Sequence, residues 1–317
     1  MQVSKFVVFF FLAMSSHVIA QGDEGGQRLS IRAYLEGALI NNGNAVSEDG
    51  KPLMRDNLRV SPFNNLNYLP ATDPYQTTIS DINLSTINNH VGTGSSPEFC
   101  TVAQPEVVFG VTGDNAIVDW VFVEIRKANQ HNLTLATRSG LLQRDGDVVD
   151  VDGVSNLWFP TLNDETFHVV IRHRNHLGVM TQIVTSEQII DFTSATTPLF
   201  DFGTTIIEGM NYGNLAQKTN VVQGYRALWA GDFNSDCKIK LAIPNDDLTT
   251  AFYEQDYSGT GYTPGYFQGD FDMNSVVTFT GSPNDAALLE NQAKTYNLNP
   301  TALPNFNYFI EQVPPRN

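Results

Sequence analysis

The chain has 317 residues and carries 18 Lys plus Arg against 34 Asp plus Glu, a formal net charge of −16. With 41% hydrophobic and 11% aromatic residues it is too apolar for a disordered acidic tail, and it lacks the basic face that nucleic acid requires. Its 29 Asn and 24 Gly residues point instead to turn-rich structure and to oxygen ligands for a hard cation.

Residues 1–20 read as a signal peptide. Lys5 gives the positive start, FVVFFFLAM (6–14) the short apolar run, and Ala20 the small residue before a cut. Nine apolar residues are too few to span a bilayer, and no later run approaches the ~20 that would. The sequence therefore predicts an exported protein without a transmembrane segment, at the cell surface, outside the cell or in a periplasm. No Cys stands at the cleavage point to carry a lipid. Cys100 and Cys237 form an even pair that export would allow to bridge, but spacing does not decide whether they do.

Residues 27–36 (QRLSIRAYLE) alternate apolar and polar and read as an opening strand. Residues 41–105 are dominated by Asn, Ser, Thr, Pro and Gly and read as long surface loops. Stronger β signal begins at the apolar stretch 107–111. It continues through IVDWVFVEI (117–125), whose two faces are both largely apolar, as in a strand covered on both sides. Further strands are expected at 134–144, 148–151, 167–174 and 179–185, punctuated by the Asp145-Gly146 and Asp152-Gly153 turns. Short strands at regular spacing predict an antiparallel β-sandwich with long loops over residues 27–205.

Some polar residues here invite sharper readings. His168, His173 and His176 match no standard zinc spacing, and a strand would send them to different faces; Asp119 and Glu124 are the expected neutralisers of Arg172 and Arg174. Asp145, Asp147, Asp150 and Asp152 would suit glycoside hydrolysis, but hairpin chemistry accounts for them more simply. Trp120 and Trp158 would suit sugar stacking, though Trp120 lies in a strongly apolar strand. No nucleophile elbow, zinc-protease motif, phosphate loop or dinucleotide fingerprint is present, so no enzymatic activity is expected.

Beyond residue 206 one pattern occurs twice. GDFNSD (231–236) is followed by Ile239 and Pro244-Asn245-Asp246; GDFDMN (269–274) is followed by Val277 and Pro283-Asn284-Asp285. Oxygen side chains at loop positions 1, 3 and 5 match the opening of an EF-hand-type calcium loop, with a backbone carbonyl expected at position 7. The predicted ligands are Asp232, Asn234, Asp236, the Lys238 carbonyl and Asp246 in the first loop. In the second they are Asp270, Asp272, Asn274, the Val276 carbonyl and Asp285. Position 12 holds Ile243 or Gly281, so Asp246 and Asp285 must supply the closing carboxylate. Position 6, normally Gly, is Cys237 or Ser275. The first loop, with two acids plus Asp246, is the stronger expectation. One or two calcium ions are predicted, and short helices should follow at 247–254 and 286–293.

Seven segments together carry a family resemblance: MRDNLR (54–59), LPATDPY (69–75), IVDWVFVEIR (117–126), LLQRDGDVVDVDG (141–153), HVVIRHRNHLGVMT (168–181), AGDFNSDCKIK (230–240) and GYFQGDFDMNSVVTFTGSPND (265–285). They resemble exported haemagglutinin-like proteins of Bacteroidota, in which a β-domain precedes dockerin-like calcium repeats. The resemblance implies a dockerin-like module at 206–300, a tail at 301–317, and a setting of type IX secretion or gliding motility. It implies as partner a larger surface adhesin or a secretion or motility component, with glycans as the alternative ligand. The roughly thirty residues after the second loop are too few for the usual C-terminal sorting domain, which suggests travel or docking with a partner that carries it.

Overall fold

A computed structural model describes residues 25–40, 42, 45–75, 90–91, 100–202, 215–219, 221–222, 224–241, 246–248, 263–281, 284–295 and 308–316. The leader at 1–20 and the expected domain boundary near 205 lie outside the described residues.

The chain opens with β1 (Gln27–Leu29), β2 (Ile31–Arg32) and a helical turn α1 (Glu36–Leu39). A second turn, α2 (Pro105–Val108), precedes the two longest strands, β3 (Ile117–Lys127) and β4 (Gln130–Gln143). Then come β5 (Asp147–Val149), β6 (Leu157–Phe159), β7 (Thr166–His173), β8 (His176–Met180), β9 (Val184–Thr185) and β10 (Ile190–Asp191). The C-terminal third contributes β11 (Lys218–Thr219), β12 (Arg226–Ala227), β13 (Lys238–Lys240), α3 (Asp285–Thr295) and β14 (Tyr308–Ile310).

The protein is mainly β, as expected. Eight strands form one sheet in the order β10-β2-β5-β4-β3-β7-β8, with β9 also pairing β7. Every pairing is antiparallel except β10 with β2. Register shifts interrupt β3 against β4 near Asp119 and Arg126, and β7 against β8 near His173. Such bulges bend a strand and raise its twist, which accounts for the curl of the sheet. Residues 117–126 are buried without a break, matching the two-sided apolar pattern. Segment 69–75 covers part of that strand: Trp120 Nε1 donates to the Pro70 carbonyl at 2.9 Å, and Tyr75 Oη to the Trp120 carbonyl at 2.6 Å. Trp120 is therefore core, and Trp158 lies under the Arg28 guanidinium.

Two local expectations change, and the pairing of the two Cys, which spacing left open, is decided. Residues 105–108 form a helical turn rather than a strand, because Pro105 at its first position presets φ and needs no N–H partner. Cys100 and Cys237 are separate thiols. The tail is tied in: β14 pairs β13, Glu311 meets Arg172 at 2.5 Å, and Arg316 meets Glu124 at 2.6 Å.

Candidate metal centre

Both repeated loops fold in the same way. Positions 4 and 6 adopt left-handed backbone in each, with φ of 56° and 64° at Ser235 and Cys237, and 58° and 77° at Met273 and Ser275. Side chains other than Gly disfavour this conformation by roughly 1–2 kcal/mol each, so surrounding contacts must hold the loops in shape. Those contacts include matching turns in which a side-chain oxygen accepts the N–H two residues on. Asn234 does so for Asp236 and Asp236 for Lys238; Asp272 does so for Asn274 and Asn274 for Val276.

One buried carboxylate closes each loop. Asp285 accepts from Phe271 N (2.7 Å), Asp272 N (3.1 Å) and Thr278 N (2.7 Å). Its counterpart is Asp247, which accepts from Phe233 N (2.8 Å), Asn234 N (3.4 Å) and Lys240 N (2.7 Å). The sequence expectation had put Asp246 in that role. The loops are related by 38 residues but the Pro-Asn-Asp triplets by 39, so the triplet match slips by one and Asn284, not Asp285, corresponds to Asp246. Asp246 is itself buried, and Asn284 caps α3 by accepting the Ala287 N–H at 2.6 Å. The helix expected at 286–293 is α3; of the one expected at 247–254, only Asp247 and Leu248 lie within the described residues, and both are helical.

The second loop, not the first, brings its acids together among the described residues. Asp270, Asp272 and Asp285 each place a carboxylate oxygen within 4.8 Å of the others, and all three are buried. Asp270 also accepts from Asn274 N and Ser275 N, both at 2.8 Å. Asp272 Oδ2 is buried with no hydrogen-bond partner, and its nearest cationic group is Arg55 Nη1 at 3.8 Å. Burial first, and then the neighbouring carboxylates, hold Asp270 well above the usual range and Asp285 at about 8. Asp272 is raised by burial against the opposing pull of Arg55. Three carboxylates crowded out of water either keep protons or share a cation, and an oxygen-only set of this kind fits a hard divalent ion. Asn274 Oδ1 is turned to Val276 N, and the first-loop residues Asp232, Asn234, Asp236 and Lys238 form no such buried cluster among the described residues.

A polar hub joins these loops to the sheet. At the tip of the β7–β8 hairpin, the Asn175 carbonyl accepts from Gly231 N (2.9 Å) and Asp232 N (3.2 Å), while its Nδ2 donates to the Gln268 and Asp270 carbonyls. Asp119, fully buried, accepts from Arg174 Nε (2.9 Å), His173 Nε2 (3.0 Å) and Tyr266 Oη (2.7 Å). Burial alone would raise the Asp119 pKa; Arg174, then His173 and Tyr266, overcome it and hold the carboxyl at about 2. Simple alternation would send His173 and Arg174 to opposite faces. Arg174 lies past the end of β7, in the hairpin turn, so strand alternation does not govern it and both side chains reach Asp119. Glu124 gathers Arg126, Arg172 and Arg316, so both expected neutralisers are in place. The Asp145–Asp152 run is turn and ion-pair chemistry: Asp147 pairs Arg32, Asp150 pairs Arg138, and Asp152 accepts from Ser155.

No protein-family model matches the chain, and no curated protein or solved structure was found similar to it.

Proposed function

We propose that the chain is an exported, non-catalytic cell-surface protein, a β-sandwich platform bearing a dockerin-like, calcium-stabilised module. In this reading it is an accessory subunit that joins a larger surface adhesin or a secretion or motility assembly. The observation that carries the proposal is the buried convergence of Asp270, Asp272 and Asp285 inside a duplicated loop. Calcium there would relieve carboxylate repulsion and make folding of the module depend on the ion.

A neighbouring surface supports the partner reading. Val60, Phe63 and Leu66 are exposed on one short loop. That loop is fastened to the second calcium loop through Ser61 Oγ and Ser275 Oγ at 2.8 Å, and Arg55 just upstream faces Asp272. An ion that orders the calcium loop therefore also orders an apolar contact surface. The test is melting with and without chelator, together with purification from the native envelope under both conditions. A lower melting temperature and loss of a co-purifying surface component on chelation are expected. A melting temperature indifferent to chelator would overturn the calcium reading, and agglutination of red cells by the isolated protein would replace the accessory role with glycan binding.

A further inference from the structure

A different cluster lies against β3 and β4 and differs from the repeated loops in its ligand chemistry. We propose that Asp73, His90 and Cys100 form a second metal centre, taking zinc or a similar borderline transition-metal ion. One ligand-type atom of each lies within 4.8 Å of the other two, and all three residues are buried, at 4%, 7% and 0% exposure.

Backbone pairing brings the three together from separate stretches of chain. Thr72 and Thr101 form a β-bridge, with Asp73 N donating to the Cys100 carbonyl and Val102 N to the Ala71 carbonyl. His90 bridges to Thr137 on β4, and Val91 N donates to the Thr137 carbonyl. The side chains are oriented by second partners, as metal ligands commonly are. Asp73 accepts Cys100 N at 2.6 Å and Tyr75 N at 3.2 Å. The His90 ring stacks on Phe122, and its Nδ1 meets Thr137 Oγ1 at 2.8 Å.

His90 Nε2 points to a ligand. It is buried and has no hydrogen-bond partner. With Nδ1–H donating to Thr137, Nε2 presents a bare lone pair inside the protein, which a cation would satisfy. Thiolate, imidazole and carboxylate together select a zinc-like ion over calcium. Two anionic ligands against a divalent ion leave no net charge, which suits a buried site. Metal–ligand bonds of about 2.0–2.3 Å in a tetrahedron put ligand atoms roughly 3.3–3.8 Å apart, so side-chain movements on the order of 1 Å complete the set. On binding, the Cys100 S–H bond breaks and its proton leaves to solvent, while sulfur keeps the electron pair for the metal.

The test is a Co2+ titration of the full reduced chain in excess calcium, which keeps the carboxylate loops filled. One equivalent should generate a thiolate-to-cobalt charge-transfer band that Zn2+ abolishes. Cys100→Ser should remove the band, Cys237→Ser should retain it, and His90→Gln should weaken Co2+ binding at least tenfold. Circular dichroism establishes that each variant is folded, and His90→Gln decides the matter if Cys100→Ser is not. No band from the folded wild type, a band that survives Cys100→Ser, one lost only with Cys237→Ser, or unaltered affinity in His90→Gln would overturn the proposal.

Discussion

Replacing Asp285 by Asn separates the two jobs the structure gives this side chain. Asn keeps one acceptor oxygen for the N–H groups of Phe271 and Asp272 but turns an NH2 toward Thr278 N, which Asp285 receives at 2.7 Å. Thr278 is 5% exposed, so its N–H loses its partner away from water, at a cost of about 1–3 kcal/mol. That cost is the same with or without an ion. The second job appears only with calcium: a ligand present at 100 times its dissociation constant stabilises by about 2.7 kcal/mol, and a hundredfold loss of affinity leaves about 0.4. The difference of about 2 kcal/mol corresponds to roughly 4–8 °C in a domain of a few hundred residues. Melting curves of wild type and Asp285→Asn, each in calcium and in chelator, give the four values needed. The variant should lose more in calcium than in chelator by that amount. Asp247→Asn, which disturbs the equivalent bonds where no three-carboxylate cluster forms among the described residues, calibrates the first job alone. Equal losses for Asp285→Asn in both conditions would refute a cation shared by this carboxylate.

Two other outcomes follow from the packing and the ion pairs. A Cβ on Gly37 would overlap the Phe271 carbonyl, and the Gly37 N–H is held by His176 Nε2 at 3.2 Å, so neither side yields readily. Gly37→Ala should destabilise by about 3 kcal/mol or more, seen as a lower denaturant midpoint at unchanged slope. The Asp119 carboxyl titrates near 2 in the folded chain against 3.8 ordinarily, so its contribution is complete above about pH 4 and lost as pH falls through about 2. That window carries about 2 kcal/mol, and Asp119→Asn should flatten the melting curve between pH 4 and 2. His173 and His176, lowered first by burial, also cost stability as pH falls below about 6.5, so the Asp119 contribution is read as the difference between wild type and variant.

The strands were legible because their apolar alternation and Asp-Gly turns are local signals: β3, β4 and β7 lie close to where those signals put them, while the strand expected at 179–185 is divided between the end of β8 and β9. The shared shape of the two loops was legible because the pattern occurs twice, and duplication stands out from the many Asn-rich turns. What escaped was set by one residue or by distance. Asp247 was missed because the Pro-Asn-Asp triplets are offset from the loop register by a single position. Arg174 and His173 reach the same carboxylate because β7 ends at His173 and Arg174 sits in the hairpin turn, which a strand expected to run through 174 does not foretell. Asp73, His90 and Cys100 follow no short motif, and a β-bridge plus a pairing to β4 assemble them. Glu311 and Arg316 sit in what reads as a tail, yet they complete ion pairs on β3 and β7.

Asn175 also bears on the order in which the molecule can assemble. The β7–β8 hairpin closes between residues near in sequence, whereas the bonds from Asn175 to Gln268 and Asp270 span 93 and 95 residues. Contacts of that separation form late, because the intervening chain must first be closed into a loop. Asn175 grips the opening of both loops, through Gly231 and Asp232 in one and the Asp270 carbonyl in the other. The hairpin is thus a template on which the C-terminal third is cast. Neither loop gains these bonds until the hairpin beneath it has formed, and ordering Asn175 against one loop sets its position for the other.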